Sequence, residues 1–111
     1  MKMALSYEGA ITVLKPMGPM VAGELEDVDR QLQGQWQRWC PRTVLNLREV
    51  GLIDSAGLEI IMKHRNEYHK RGLKLRICGL SELLQKIFDV TRLTRRVEIY
   101  ADTSTAIRSF L

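Results

Sequence analysis

After two opening β-like runs, the chain repeats one pattern: a short β-rich run, then a stretch with apolar residues three and four positions apart. Parallel strands cannot be joined by a tight turn. Strands that alternate with helices therefore require crossover connections and an α/β sheet that is largely parallel. Residues 3–7 and 10–15 flank Glu8-Gly9, where a glycine can take the positive φ of a tight turn, and they read as a hairpin. Residues 17–23 hold too much Gly and Pro for a regular element, and Glu24, Glu26 and Asp27 then supply the negative charge that a helix N-terminus favours. A helix is predicted to begin near residues 22–24, to bury Leu25, Val28, Leu32, Trp36 and Trp39, and to stop at Cys40-Pro41.

Residues 43–48 read as an interior strand entering a loop at 49–53. The stretch from Ala56 to about Lys70 reads as a helix with apolar positions at Leu58, Ile61, Met62 and Tyr68, Ile60 alongside, closed by Arg71-Gly72. A strand is expected over 73–78, then a helix capped by Ser81 with Leu83, Leu84, Ile87 and Phe88 on one face. A strand over 97–100 and a last helix, capped by Asp102 and carrying Ala106, Ile107 and Phe110, complete the chain. The order is ββαβαβαβα, an α/β fold with a mixed, mostly parallel sheet and about four helices. A length of 111 residues, 45% hydrophobic and 27% charged, suits one core, so residues 1–111 are expected to form a single domain.

Cations are unevenly placed. Residues 1–54 carry a net charge of −1 and residues 55–111 a net charge of +5. The basic residues gather at Lys63, Arg65, Lys70, Arg71, Lys74 and Arg76, then at Lys86, Arg92, Arg95 and Arg96. Such clusters suit an acidic protein, a nucleotide phosphate, nucleic acid or anionic lipid, and equally an ordinary solvated helix face. Aromatic residues at 6% and no recognisable recognition helix argue against a direct nucleic-acid partner. No apolar run approaches the roughly 18 to 20 residues that span a bilayer, and Glu8 interrupts any secretory signal, so no membrane insertion and a cytoplasmic location are expected. Cys40 and Cys78 form no C-x-x-C pair, and both are expected to be reduced, half-buried thiols.

The most informative run is Ile53-Asp54-Ser55-Ala56-Gly57-Leu58, where a strand leads through a loop into a helix on the carboxyl side of the sheet, the edge at which ligands of open α/β sheets gather. Ser55 is predicted to cap that helix, its hydroxyl accepting an N–H from the first turn. A hydroxyl there also suits phosphorylation, because helix N-terminal amides favour an anion. Catalysis finds little support. The nucleophile-elbow pattern G-x-S-x-G has Ile53 where its first glycine should stand, and neither a P-loop nor a dinucleotide-binding glycine motif is present. His64 and His69 sit about 140° apart on a helix, so they share no metal-binding face and are expected to be solvated. No enzyme activity, metal or cofactor is expected.

Four segments together resemble a bacterial STAS domain of the anti-sigma factor antagonist type: 44–47, Ile53-Asp54-Ser55-Ala56-Gly57-Leu58, 72–78, and Ile87-Phe88-Asp89-Val90-Thr91-Arg92-Leu93. The resemblance is best from about Thr43 to Tyr100. It implies a non-enzymatic switch: the unmodified antagonist binds an anti-sigma factor that is also a serine kinase, sigma is released, and phosphorylation of the loop serine ends the interaction, leaving a place for a phosphatase. Ser55 matches that serine. Asp54, Ser55, Ala56, Gly57, Leu58 and Met62 are then the expected partner-binding residues, with the helix they open forming much of the contact. Many antagonists carry a G-E-L-D-like segment after the second strand; Gly18-Pro19-Met20-Val21 corresponds to it here without the acids, and Gly23-Glu24-Leu25-Glu26 resembles the same segment displaced by five residues. An alternative role is a constitutive STAS subunit of a lipid-transport or stress-signalling complex, with Ser55 only a helix cap.

Overall fold

The computed structural model describes residues 2–38 and 41–111. Five strands form one sheet in the order β1-β2-β3-β4-β5. β1 (Lys2–Glu8) and β2 (Ile11–Met17) are an antiparallel hairpin that turns at Gly9, where φ is +60°, a conformation that costs glycine nothing. β2 runs parallel to β3 (Arg42–Asn46), β3 to β4 (Arg76–Cys78), and β4 to β5 (Glu98–Tyr100). Helices α1 (Glu26–Trp36), α2 (Ser55–Lys70) and α3 (Glu82–Val90) make the crossovers, a 3-10 turn (Leu93–Arg95) leads into β5, and α4 (Thr103–Arg108) follows it. This is the expected order, a mixed and mostly parallel α/β sheet with four helices.

Because β2 to β5 lie in chain order, crossovers of one hand place α1, α2 and α3 on the same face. Alternation along the strands does the rest. Leu14, Leu45 and Ile77 lie in register and meet Val28 and Leu32 of α1, Ile61 and Tyr68 of α2, and Leu84 and Phe88 of α3. Val13, Val44 and Cys78 point the other way and are covered by Ala106, Ile107 and Phe110 at the C-terminal helix. Each fully buried leucine or isoleucine in such a core contributes roughly 1.5–3 kcal/mol. Tyr68 buries its hydroxyl against that of Thr43, and burial pushes its pKa up to about 12.

Several boundaries differ from expectation. α1 begins at Glu26 rather than near 22–24, because Gly23 at φ +89° still turns the chain and Leu25 precedes the helix with no side-chain cap. It ends at Trp36; Trp39 and Cys40, expected in its last turn, lie outside the described residues. β4 spans Arg76–Cys78 and not 73–78, since the Leu73 amide is bonded to the Tyr68 carbonyl (2.9 Å) and is still closing α2. Leu83, expected on the apolar face of α3, is 49% exposed, the buried line being Leu84 and Phe88. Ser81 and Asp102 cap α3 and α4 as expected, accepting from the amides of Leu84 and Thr105. Cys78 is fully buried, not half-buried, and burial pushes its thiol pKa up.

The largest departure is His64. It was expected in solvent, yet it is completely buried between α1 and α2, on the same face as Ile61 and Tyr68. Trp36 Nε1 can only donate, and it lies 2.9 Å from His64 Nδ1, so that nitrogen accepts. The ring proton therefore sits on Nε2, which donates to Asp29 Oδ1 at 2.6 Å. Lys63 Nζ reaches the same carboxylate at 3.0 Å, and the Arg71 guanidinium stacks on the Trp36 ring at 4.3 Å. Burial holds His64 below its ordinary pKa of 6.5 against the opposing pull of Asp29. Burial works to raise Asp29, but Lys63 and His64 outweigh it and hold that carboxyl low.

The unfolded chain takes up a proton on this histidine near pH 6.5 that the folded chain refuses, so acid favours unfolding. Urea midpoints of the wild type should fall as pH drops from about 7 to about 5, before carboxylates titrate. His64→Leu should be less stable at neutral pH and show a flatter pH dependence across that interval. The same slope in both proteins would assign the effect to another group.

Candidate functional site

β3 ends at Asn46, and the chain turns where the Val50 amide meets the Leu47 carbonyl (3.0 Å) before running beside the segment that follows β2. Met20 N donates to Leu52 O (2.9 Å), Asp54 N donates to Met20 O (3.3 Å), and Met20 and Ile53 form a parallel bridge. The Gly18-Pro19-Met20-Val21 stretch thus lies against the loop that opens α2. Met20, standing where the G-E-L-D-like pattern has its apolar residue, is fully buried.

Asp54 is the residue on which this junction turns. Its Oδ1 accepts from Gly57 N at 3.0 Å, capping α2, while Oδ2 accepts from Ala22 N at 2.9 Å, 32 residues away in the chain. The Ala22 amide first, and the Gly57 amide next, hold its carboxyl below the usual carboxylate range. Ser55 is therefore not the cap: it is the first residue of α2. Its side chain is exposed, and no described group hydrogen-bonds its hydroxyl. Asp54 also takes the Gly57 amide, one of those that an anion on Ser55 could otherwise use, so a phosphate there would stand beside a carboxylate.

Gly57 is buried beneath the crossing segment. A Cβ at this position would stand 2.3 Å from Met20 O and 2.6 Å from Ile53 Cγ1, so only glycine lets the two segments approach this closely. Gly57 is buried, while Ala56, like Leu58 and Met62, is half-buried and packs partly against the core. Leu58 and Met62 stand one turn apart on α2. They line a groove of about 320 Å³ whose other wall is formed by Thr91, Arg92, Leu93 and Arg96. Arg92 turns the chain after α3 at φ +63°, rare for a residue with a side chain. The expected site residues therefore separate: Asp54 and Gly57 build the junction, Ser55 stands at its surface, and Leu58 and Met62 enter a groove. The opposite wall was missed by residue-level reasoning, although the run ending at Leu93 had signalled it.

His64 cannot act as a base toward Ser55, since both its ring nitrogens are engaged by Trp36 and Asp29. Among the described residues no His, Cys, Asp and Glu gather in a group able to hold a metal ion, and no helix is long and apolar enough to cross a membrane.

The STAS domain family model matches residues 2–106, and the chain belongs to that family. It is 24% identical over 71 residues to an anti-sigma F factor antagonist of Paenibacillus polymyxa, a match spanning 64% of this chain and 61% of that protein. The fold is shared with a candidate anti-sigma factor antagonist of Thermotoga maritima (TM-score 0.89, 18% identity, 96% of this chain and 92% of the other). It is shared as well with the phosphorylated form of the Bacillus cell fate determinant SpoIIAA (TM-score 0.74, 14% identity, 99% of this chain and all 100% of the other).

The geometry separates the cap from the serine. Asp54→Ala should lower stability more than Ser55→Ala, whose effect should stay within about 0.5 kcal/mol, typical of a surface site. Gly57→Ala should be the worst of the three, destabilising by roughly 1–3 kcal/mol through overpacking. Urea unfolding of the three variants checks the ranking; a Ser55→Ala cost matching that of Asp54→Ala would restore Ser55 as the cap.

Proposed function

We propose that this protein is an anti-sigma factor antagonist, a binding protein and not a catalyst, whose contact face is the Ser55 turn with the adjoining Leu58–Met62 groove. The carrying observation is that Ser55 stands exposed at the head of α2, with no described hydrogen bond from its hydroxyl, beside an apolar groove. Modification there changes the surface and leaves the fold in place. The family, and the roles that the relatives' names give those relatives, support the same reading.

In this reading the partner is an anti-sigma factor that is also a serine kinase. It binds the unmodified face, sigma is released, phosphorylation of Ser55 ends the interaction, and a phosphatase restores it. Phosphate adds a charge of roughly −1.5 to −2 beside the ionised Asp54, in the middle of a contact that would have to desolvate it. That penalty falls on the complex. The free antagonist keeps its phosphate in water, so the switch acts on affinity and not on stability.

The test uses a GHKL-type anti-sigma factor kinase from the same genome. After incubation with kinase and ATP, mass spectrometry should find phosphate on Ser55. In titration calorimetry Ser55→Ala should bind and Ser55→Asp should bind at least about tenfold more weakly, the smaller charge of aspartate giving a partial imitation. Phosphate on Thr91 or Ser104 instead, or equal affinity of the two variants, overturns the switch and favours a constitutive subunit.

A further inference from the structure

Six cations of the basic clusters, Arg65, Arg76, Lys86, Arg92, Arg95 and Arg96, have no carboxylate partner among the described residues, and three of them meet in one place. Lys63 is paired with Asp29, while Lys70 and Arg71 are paired with Glu67. Arg95 and Arg96 have no carboxylate partner among the described residues. Both line a half-open pocket of about 220 Å³, together with Arg65, His69, Lys74 and Glu98. The pocket lies between the second half of α2 and the segments that enter β4 and β5, at the amino edge of the parallel strands. Along the axis of α2 it is about 15–21 Å from Ser55, so it is separate from the proposed contact turn.

The walls are organised for an anion. Arg65 is held in place by its Nε, which donates to Arg96 O at 2.8 Å, and by Nη1, which donates to Asn66 Oδ1 at 3.2 Å. Lys74 Nζ lies 3.0 Å from Glu98 Oε1, so the only carboxylate of the lining is already neutralised. Three guanidiniums then remain around a floor that includes Leu75 and Val97, both buried. Guanidinium forks bind oxyanions in pairs of parallel hydrogen bonds, and several together favour a multiply charged oxyanion over a single carboxylate. The volume falls below the roughly 300–1,000 Å³ of pockets that enclose drug-sized ligands, which restricts the guest to a small group.

We propose that this pocket is a binding site for a phosphate or diphosphate group, held by Arg65, Arg95 and Arg96. The group is either a free polyanion or the headgroup of an anionic lipid, since the recognition chemistry is the same. The pocket shares Arg96 with the groove beside Ser55, but anion binding in it does not require Ser55 or its modification.

Pyrophosphate is the probe, titrated into the full chain in phosphate-free buffer at about 0.15 M salt, where diffuse surface attraction is largely screened. Amide resonances of Arg65, His69, Arg95 and Arg96 should shift saturably, and thermal stability should rise with ligand concentration. The double substitution Arg95→Gln and Arg96→Gln should weaken binding at least about tenfold, with an unchanged far-ultraviolet spectrum, whereas Lys86→Gln on α3, outside the pocket, should leave it unaltered. Phosphatidylglycerol vesicles form the second arm: binding that pyrophosphate displaces identifies the headgroup as the source. No saturable shift by about 10 mM pyrophosphate, or equal weakening by Lys86→Gln, overturns the site, whereas saturable shifts with vesicle binding that pyrophosphate does not displace assign it to a free polyanion.

Discussion

A single carboxylate joins the three pieces of backbone that make the candidate site. Asp54 accepts from the first turn of α2 through one oxygen and from Ala22 through the other, while the Met20 carbonyl rests over the bare Cα of Gly57. The segment after β2, the loop after β3 and the head of α2 are thereby tied together. A charge-assisted bond to a backbone amide is stronger than a neutral one, and two such bonds on one side chain leave it little freedom. Ser55 inherits its position from this arrangement. Asp54 caps the helix through the Gly57 amide, and the serine beside it faces outward.

A second set of polar contacts locks α1 onto α2. Trp36, His64 and Asp29 form a chain in which every donor has an acceptor, and the direction of the Trp36 N–H bond settles the tautomer of the histidine. Such networks hold helices in register when every member is satisfied, and they are sensitive points because an added proton has nowhere to go. In this protein the addition would place two N–H groups face to face across the α1–α2 contact.

The positive charge of the second half is divided by use. Exposed pairs such as Lys74–Glu98 and Arg71–Glu67 contribute little to stability one by one, but they remove cations from the open field. Of the cations they leave, Arg92, Arg95 and Arg96 lie on the segment between α3 and β5, where Arg92 and Arg96 wall the apolar groove while Arg95 and Arg96 wall the basic pocket. Arg96 is common to both. One short connection thus borders an apolar surface near Ser55 and a cationic one farther down α2.

Much of this architecture was written in local periodicity. Alternation in 43–48, the stripes containing Ile61 and Phe88, the caps Ser81 and Asp102, and the glycine after Arg71 depend on neighbours a few residues away, so the order of elements and the mostly parallel sheet could be read without coordinates. The resemblance carried by 53–58 and 87–93 likewise placed Ser55 at the head of α2. Adjacent Asp54 and Ser55 are both good caps, however, and the choice between them was made by the Ala22 amide, 32 residues distant. His64 looked like a polar residue on a polar turn until α1 supplied Trp36 and Asp29. β4 lost its first residues to the closing turn of α2, and the groove exists only because Leu58 and Met62 meet the chain at 91–96. Local backbone preference is encoded residue by residue and so was legible in the sequence, whereas the cap, the buried histidine and the two cavities arise from contacts between distant segments and were decided only when the chain closed on itself.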